Sequence, residues 1–273
     1  MVTGSTGGIG KVMAREIARK GLQVVLVSRN EKRCAAVAAE IQDETSNQSV
    51  DYLAADLSSQ KEVRDLVKRF REKYNRLDIL VNNAGGFFMK RQVSEDGIEM
   101  TWALNHLSYF LLTNLLLDRL TACAPARVVN VSSDAHEWGS INFADLEGKR
   151  RYFGWTAYSQ SKLANILFTF ELSRCMKESG VTANALHPGY VATGLGRNNS
   201  SLIAFFIKLS HIFAISPEEG AHTGIYLATS PEVEGLTGRY FVKQKPARVA
   251  KAGLDQSTAR RLWEISAQMT RME

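Results

Sequence analysis

Segments that read as strands alternate with segments that read as helices along this chain, and that alternation restricts the folds open to it. Apolar runs rich in β-branched residues, bounded by turn residues, predict strands at 23–28, 50–54, 79–82, 127–132, 181–186 and 240–242. Helical periodicity predicts helices at 11–20, 32–42, 61–73, 99–120, 156–178, 218–228 and 256–268. Alternating β and α implies an α/β fold with a doubly wound parallel sheet in three αβα layers. At 273 residues, with no internal repeat, low-complexity tract or linker, the chain is expected to form one domain over 1–273.

In such a sheet ligands gather beyond the C-terminal strand edges, so the residues following each predicted strand carry the chemistry. The first candidate is the turn holding Gly4, Ser5, Thr6, Gly8, Ile9 and Gly10, which leads into a helical pattern. Glycines there let the backbone approach a pyrophosphate, and the helix start offers free N–H groups and its positive dipole end. A plain tight turn is the alternative. With the alternating pattern, the turn makes the expected sheet Rossmann-type. Only Met1 and Val2 precede it, where a full strand is expected, so the first strand is expected to be truncated and the natural start to lie upstream.

Dinucleotide folds commonly place a carboxylate about 20 positions past the glycines to hold a ribose 2′-OH. Here that region offers Ser28 and Arg29. A guanidinium can grip a 2′-phosphate in a fork that a carboxylate would repel, so NADP(H) is favoured over NAD(H). An ordinary surface arginine is the rival reading.

Tyr158 and Lys162 lie four apart, on one face of a predicted helix. A phenol normally titrates near 10, and a neighbouring ammonium is expected to lower that value and make the tyrosine a general acid and base. A solvated helix face is the bland alternative. Asn83, Ala84 and Gly85 follow one predicted strand, and Ser132 and Ser133 follow another.

Taken in order, Thr3-Gly4-x-x-x-Gly8-Ile9-Gly10, Asp56-Leu57, Asn82-Asn83-Ala84-Gly85, Asn105, Ser133, Tyr158-x-x-x-Lys162 and Pro188-Gly189 resemble the short-chain dehydrogenase/reductase family. The stretches around Tyr158, His187 and Trp263, and the insertion at 145–151, resemble its retinol dehydrogenase-like branch. The resemblance implies an NADP(H)-dependent carbonyl reductase or alcohol dehydrogenase with Tyr158, Lys162, Ser133 and Asn105 as catalytic residues. It implies that Lys162 also binds the nicotinamide ribose and that Asn105 holds a water linking Lys162 to solvent. Asp56 and Leu57 match an adenine contact, Asn83 to Gly85 line the adenosine side, and Pro188, Gly189, Val191 and Thr193 match the nicotinamide contact. A buried amide satisfying backbone groups remains the alternative for Asn105, and plain turn residues for the two serines. His106 and His187 are given no necessary role, with His187 expected to shape the turn before Pro188.

Phe87, Phe88, Trp138, Trp155, Tyr190, Phe205 and Phe206 lie in segments that can wall an apolar pocket, which suits a small apolar carbonyl or alcohol substrate. The segment 202–215 reads as a substrate lid, with contact to a membrane surface as a lesser reading. The net charge of +6 comes with no nucleic-acid motif, so no nucleic-acid partner is expected. Cys34, Cys123 and Cys175 are scattered and suggest neither disulfides nor a metal site; they suit a reducing, cytoplasmic setting, and no signal peptide is visible. The apolar helices at 99–120 and 156–178 are candidates for a homodimer interface, or for cover within one chain. A non-catalytic NADP(H)-binding sensor or scaffold, and a protochlorophyllide-reductase-like enzyme, are the alternative functions.

Overall fold

The structure, a computed structural model, describes residues 1–190 and 215–272. One eight-stranded sheet runs through it: β1 (Val2–Thr3), β2 (Val24–Ser28), β3 (Val50–Ala54), β4 (Ile79–Asn82), β5 (Ala126–Val131), β6 (Val181–His187), β7 (Arg239–Val242) and β8 (Lys245–Pro246). The spatial order is β3-β2-β1-β4-β5-β6-β7-β8, parallel throughout except for the short antiparallel edge strand β8. The order reverses between β1 and β4, and in sheets of this kind ligands bind at that switch point.

Alternation along the strands feeds two cores. In β2, Val25 and Val27 join one cluster with Leu66, Phe70, Phe110 and Phe168, while Val24 and Leu26 join the other with Met13, Ile41, Leu227 and Phe241. Such strands are apolar at every position because helices cover both faces. The second face carries α1 (Gly8–Arg19), α2 (Glu31–Thr45) and α8 (Pro217–Thr229); the first carries α3 (Gln60–Lys73), the helical stretch from Met100, and α7 (Gly154–Cys175).

The strand before the glycine turn has two residues, yet it holds the centre of the sheet. Val2 pairs with Leu26 on one side and Val81 on the other, and the Met1 amino group donates to Ile79 O at 2.8 Å.

The helix expected over 99–120 is broken into three. α4 (Met100–Trp102) runs into a π-helical turn (Ala103–Leu107), then α5 (Ser108–Leu115) and α6 (Leu117–Ala122). The π turn is centred on Asn105, whose amide brackets Gly86: Oδ1 accepts from its N–H at 2.8 Å and Nδ2 donates to its carbonyl at 3.0 Å. A single wide turn inside an α-helix often marks a functional site.

The apolar faces of α5 and α7 are covered by the chain's own last helix, α9 (Gln256–Met269). Trp263 stacks on Phe168 at 5.7 Å and meets Phe110 edge-on at 5.0 Å, while Ala259 and Leu262 pack with Leu163 and Leu167. Part of these faces is thus covered within the chain itself. The segment 202–215 read as a lid, with Phe205 and Phe206, falls outside the described residues apart from Ile215.

Candidate active site

At the switch point the glycine turn and the end of β4 are built around one threonine. Thr3 Oγ1 accepts from the N–H groups of Asn83 (2.8 Å) and Ala84 (3.0 Å), and Asn83 Nδ2 returns a bond to Thr3 O at 2.8 Å. The turn is too tight for side chains. A Cβ at Gly4 (φ +64°) would lie 2.8 Å from Ala84 Cα, and one at Gly10 would lie 2.4 Å from both Gly4 O and Asn83 Nδ2. Gly8 also has positive φ, at 53°, as α1 begins. A bare backbone at a helix N-terminus is the cradle a pyrophosphate needs, so the residues present fit a dinucleotide.

Within this cradle two side chains bind the turn itself. Ser5 is fully buried, and its hydroxyl both accepts from Val27 N (3.0 Å) and reaches Val27 O (3.4 Å), so it clips the turn to β2. Asn83 spends its amide on Thr3 and Gly4 carbonyls. Thr6 pairs with the Ser28 hydroxyl at 3.0 Å, and Ile9 packs partly buried against the second core. Asp56 accepts from both the amide and hydroxyl of Ser58, and Leu57 is buried in the first core.

Further along the strand ends, α7 brings Tyr158 and Lys162 together beside the ends of β4 and β5. Lys162 Nζ lies 5.5 Å from the Tyr158 ring centroid and donates to Val131 O at 3.2 Å. The carbonyl of Tyr158 accepts from Ser161 Oγ (2.7 Å), which in turn accepts from Asn105 Nδ2 (3.0 Å). A Cβ on Gly85 would sit 3.2 Å from Asn105 Oδ1 and 3.8 Å from Lys162 Nζ. The Asn105 side chain is therefore engaged with Gly86 and Ser161.

The two serines separate cleanly. Ser132 is buried and donates to Lys162 O at 2.7 Å, strapping β5 to α7. Ser133 points the other way: it caps a short 3₁₀ turn (Asp134–Trp138) by accepting from Ala135 N, donates to Asp134 Oδ1 at 2.9 Å, and its hydroxyl acts on the Tyr158 phenol. Pro188 and Gly189 close β6, with Gly189 at φ +93°, while Val191 and Thr193 lie outside the described residues.

A profile described as short chain dehydrogenase matches residues 1–202. The chain belongs to the short-chain dehydrogenase family. This dehydrogenase is 44% identical to retinol dehydrogenase 13 of Homo sapiens over 279 aligned residues, covering 100% of this chain and 84% of the relative. It is 42% identical to retinol dehydrogenase 14 of Mus musculus, covering 98% and 84%. Among solved structures it matches an uncharacterised protein from Mycobacterium paratuberculosis at TM-score 0.78 and 34% identity, covering 99% of this chain and 92% of that one. The NADP complex of RhlG from Pseudomonas aeruginosa matches at TM-score 0.69 and 27% identity, covering 88% and 92%. Membership makes this dehydrogenase an oxidoreductase that uses a nicotinamide cofactor.

Its electrostatics correct one expectation. Burial pushes the Tyr158 phenol up to about 12; the Ser133 hydroxyl opposes the shift and the Asp134 carboxylate adds to it. Burial also pushes Lys162 down to about 8. Desolvation thus outweighs any lowering of the phenol by the ammonium, and Tyr158 is a protonated donor at neutral pH. His106 is remote: it stacks on Trp102, pairs with Ser266 at 2.9 Å and is held neutral, with burial lowering its pKa to about 3.

Sequence reasoning passed over Arg33. Arg29 is exposed at the end of β2, and the Arg33 guanidinium reaches over the glycine turn, with Nη2 3.2 Å from a Cβ placed on Gly7. Arg33 stands four residues past Arg29 in the first turn of α2, and Asn30 caps that helix by accepting from Arg33 N at 2.9 Å. The i,i+4 spacing of two arginines beside a glycine turn was the available signal.

Proposed function

We propose that this dehydrogenase interconverts an apolar aldehyde or ketone and its alcohol with NADP(H). The observation that carries the reading is the convergence of Tyr158, Ser133 and Lys162 at the strand ends beside a dinucleotide cradle. When bound, the nicotinamide supplies or accepts the hydride.

The chain's own residues handle the proton and the substrate oxygen. Tyr158, a protonated phenol, donates to the carbonyl oxygen as charge develops there, and takes the proton back in the reverse direction. Ser133 donates a second hydrogen bond to the same oxygen. Lys162, an ammonium below about pH 8, offers positive charge beside Tyr158 and hydrogen bonds to the ribose hydroxyls. Asn105, through Gly86 and Ser161, holds the Gly85–Gly86 backbone against α7.

An apolar substrate is supported by the walls of the site. Phe87 meets Tyr158 edge-on at 5.5 Å, Trp155 lies 6.2 Å from Tyr158, and Trp138 lies 6.2 Å from Trp155. Phe88 is instead buried in packing against Gly86 and Gly154. Preference for NADP(H) is supported by Arg29 and Arg33, which flank the cradle with no carboxylate at the end of β2.

Fluorescence titration with NADPH and NADH side by side tests the cofactor reading. NADPH is expected to bind at least tenfold more tightly, and Arg29→Ala and Arg33→Ala each to cost NADPH about tenfold while sparing NADH, since a charge-assisted hydrogen bond contributes about 1.5–3 kcal/mol. Equal affinity for the two nucleotides would remove NADP(H) from the proposal.

A further inference from the structure

Two histidines outside the proposed proton-handling set grip the peptide unit that follows Ser133 from both ends. Its carbonyl, Ser133 O, receives His136 Nδ1 at 2.7 Å. Its amide, Asp134 N, points at His187 Nδ1 at 3.1 Å. His136 sits on the 3₁₀ turn, and His187 ends the neighbouring strand β6.

The partners fix both tautomers. A carbonyl only accepts, so His136 carries its proton on Nδ1; its Nε2 then accepts from Ala250 N at 3.3 Å, and its ring is buried edge-on to Tyr240 at 5.0 Å. An amide only donates, so His187 must present a bare Nδ1 and carry its proton on Nε2, 3.7 Å from Asp134 Oδ2. Neither role survives protonation of the ring: His187 would lose its acceptor for Asp134 N, and His136 its acceptor for Ala250 N.

We infer that His136 and His187 are positioning residues that clamp the Ser133–Asp134 peptide, and so the Ser133 hydroxyl, and that protonating His187 opens the clamp. The inference rests on the proposed role of Ser133 in the reaction. The groups facing His187 work in both directions. Burial, His136 and Lys162 on α7 disfavour its charged form, whereas the Asp134 and Glu137 carboxylates on the 3₁₀ turn favour it. The net effect lowers its pKa, so the clamp is closed at neutral pH and opens on acidification below the ordinary histidine range. A serine hydroxyl displaced by about 1 Å loses its alignment with a developing oxyanion, which can cost up to about 100-fold in rate.

Two substitutions separate positioning from bulk stabilisation. His187→Asn places a carbonyl oxygen where Nδ1 stood, accepting from Asp134 N without titrating; His187→Leu keeps the bulk and removes the acceptor. The experiment is kcat against pH for the full chain, with NADPH and an apolar aldehyde both saturating. Wild type is expected to lose activity on an acid limb. His187→Asn should retain at least about a third of the neutral rate and lose that limb, and His187→Leu should fall about 10- to 100-fold at every pH, with NADPH affinity within about twofold of wild type. An unaltered acid limb in His187→Asn, or wild-type turnover in His187→Leu, overturns the clamp.

Nitrogen-15 NMR of the imidazoles keeps the test independent of turnover. It should find His136 as the Nδ1–H and His187 as the Nε2–H tautomer, and the opposite tautomer at either position also overturns the clamp. If no form of the protein turns over any substrate while both tautomers are as expected, the oxidoreductase reading fails and the clamp stands as a structural feature.

Discussion

Replacing Gly10 with alanine sets two physical effects against each other, and the structure decides the sign. Gly10 lies in the first turn of α1, where alanine has the better intrinsic propensity by about 1 kcal/mol. The added Cβ, however, would stand 2.4 Å from Gly4 O and 2.4 Å from Asn83 Nδ2. Relief needs a shift of about 1 Å to reach ordinary contact distance, and neither neighbour is a free side-chain end. Gly4 O belongs to a turn held at positive φ, and Asn83 Nδ2 is committed to Thr3 O at 2.8 Å. Overpacking of this kind costs about 1–3 kcal/mol, so after the propensity gain the net expectation is a loss of up to about 2 kcal/mol. Urea unfolding should show a lower midpoint at unchanged slope, and NADPH titration at least a tenfold weaker affinity, because the displaced turn is the phosphate cradle. Gly7→Ala is the control. Its backbone is extended (φ −178°), and its Cβ meets only the tip of Arg33 at 3.2 Å, so stability should fall by less than about 1 kcal/mol. A Gly10→Ala protein as stable as wild type, with unchanged NADPH affinity, would refute the steric argument and the cradle with it.

Lys162→Met should lower turnover while raising stability at neutral pH. The buried ammonium, its pKa lowered from 10.5 to about 8, destabilises the fold at low pH, and that penalty is relieved as pH rises from about 8 to 10.5. Unfolding measured across that window should show wild type gaining up to about 3 kcal/mol relative to Lys162→Met, the tyrosines and cysteines common to both proteins cancelling in the difference; parallel curves would contradict the burial argument. Trp263→Ala should destabilise by about 2–3 kcal/mol by uncovering Phe168 and Phe110, and light scattering should find wild type monomeric and the variant self-associating. A wild-type dimer would mean that α9 does not take the place of a partner subunit.

The sheet was readable because its strands are short apolar runs bounded by turns, and every predicted strand is within one or two residues of its observed ends. The helix over 99–120 was misread as continuous. Periodicity carries no mark of the π turn at Asn105, which exists because its amide answers both backbone groups of Gly86, nineteen residues upstream. Ser132 and Ser133 are identical in sequence, and only the alternation of β5 sends one into α7 and the other toward Tyr158. The phenol's upward shift was equally hidden. Spacing brings Lys162 near Tyr158, but the burial that outweighs it comes from the assembled walls. Arg33 and the paired imidazoles at 136 and 187 escaped because their meaning depends on which loops meet across the strand ends.

Turnover of NADPH with a panel of apolar aldehydes, comparing wild type with Tyr158→Phe, tests the central claim most directly. Wild type should oxidise NADPH in step with alcohol formation. Tyr158→Phe should lose at least about 100-fold in kcat, as expected for removing a positioned general acid, while binding NADPH within about twofold of wild type. Comparable turnover by the two proteins would contradict the assignment of Tyr158 as the proton donor of this site.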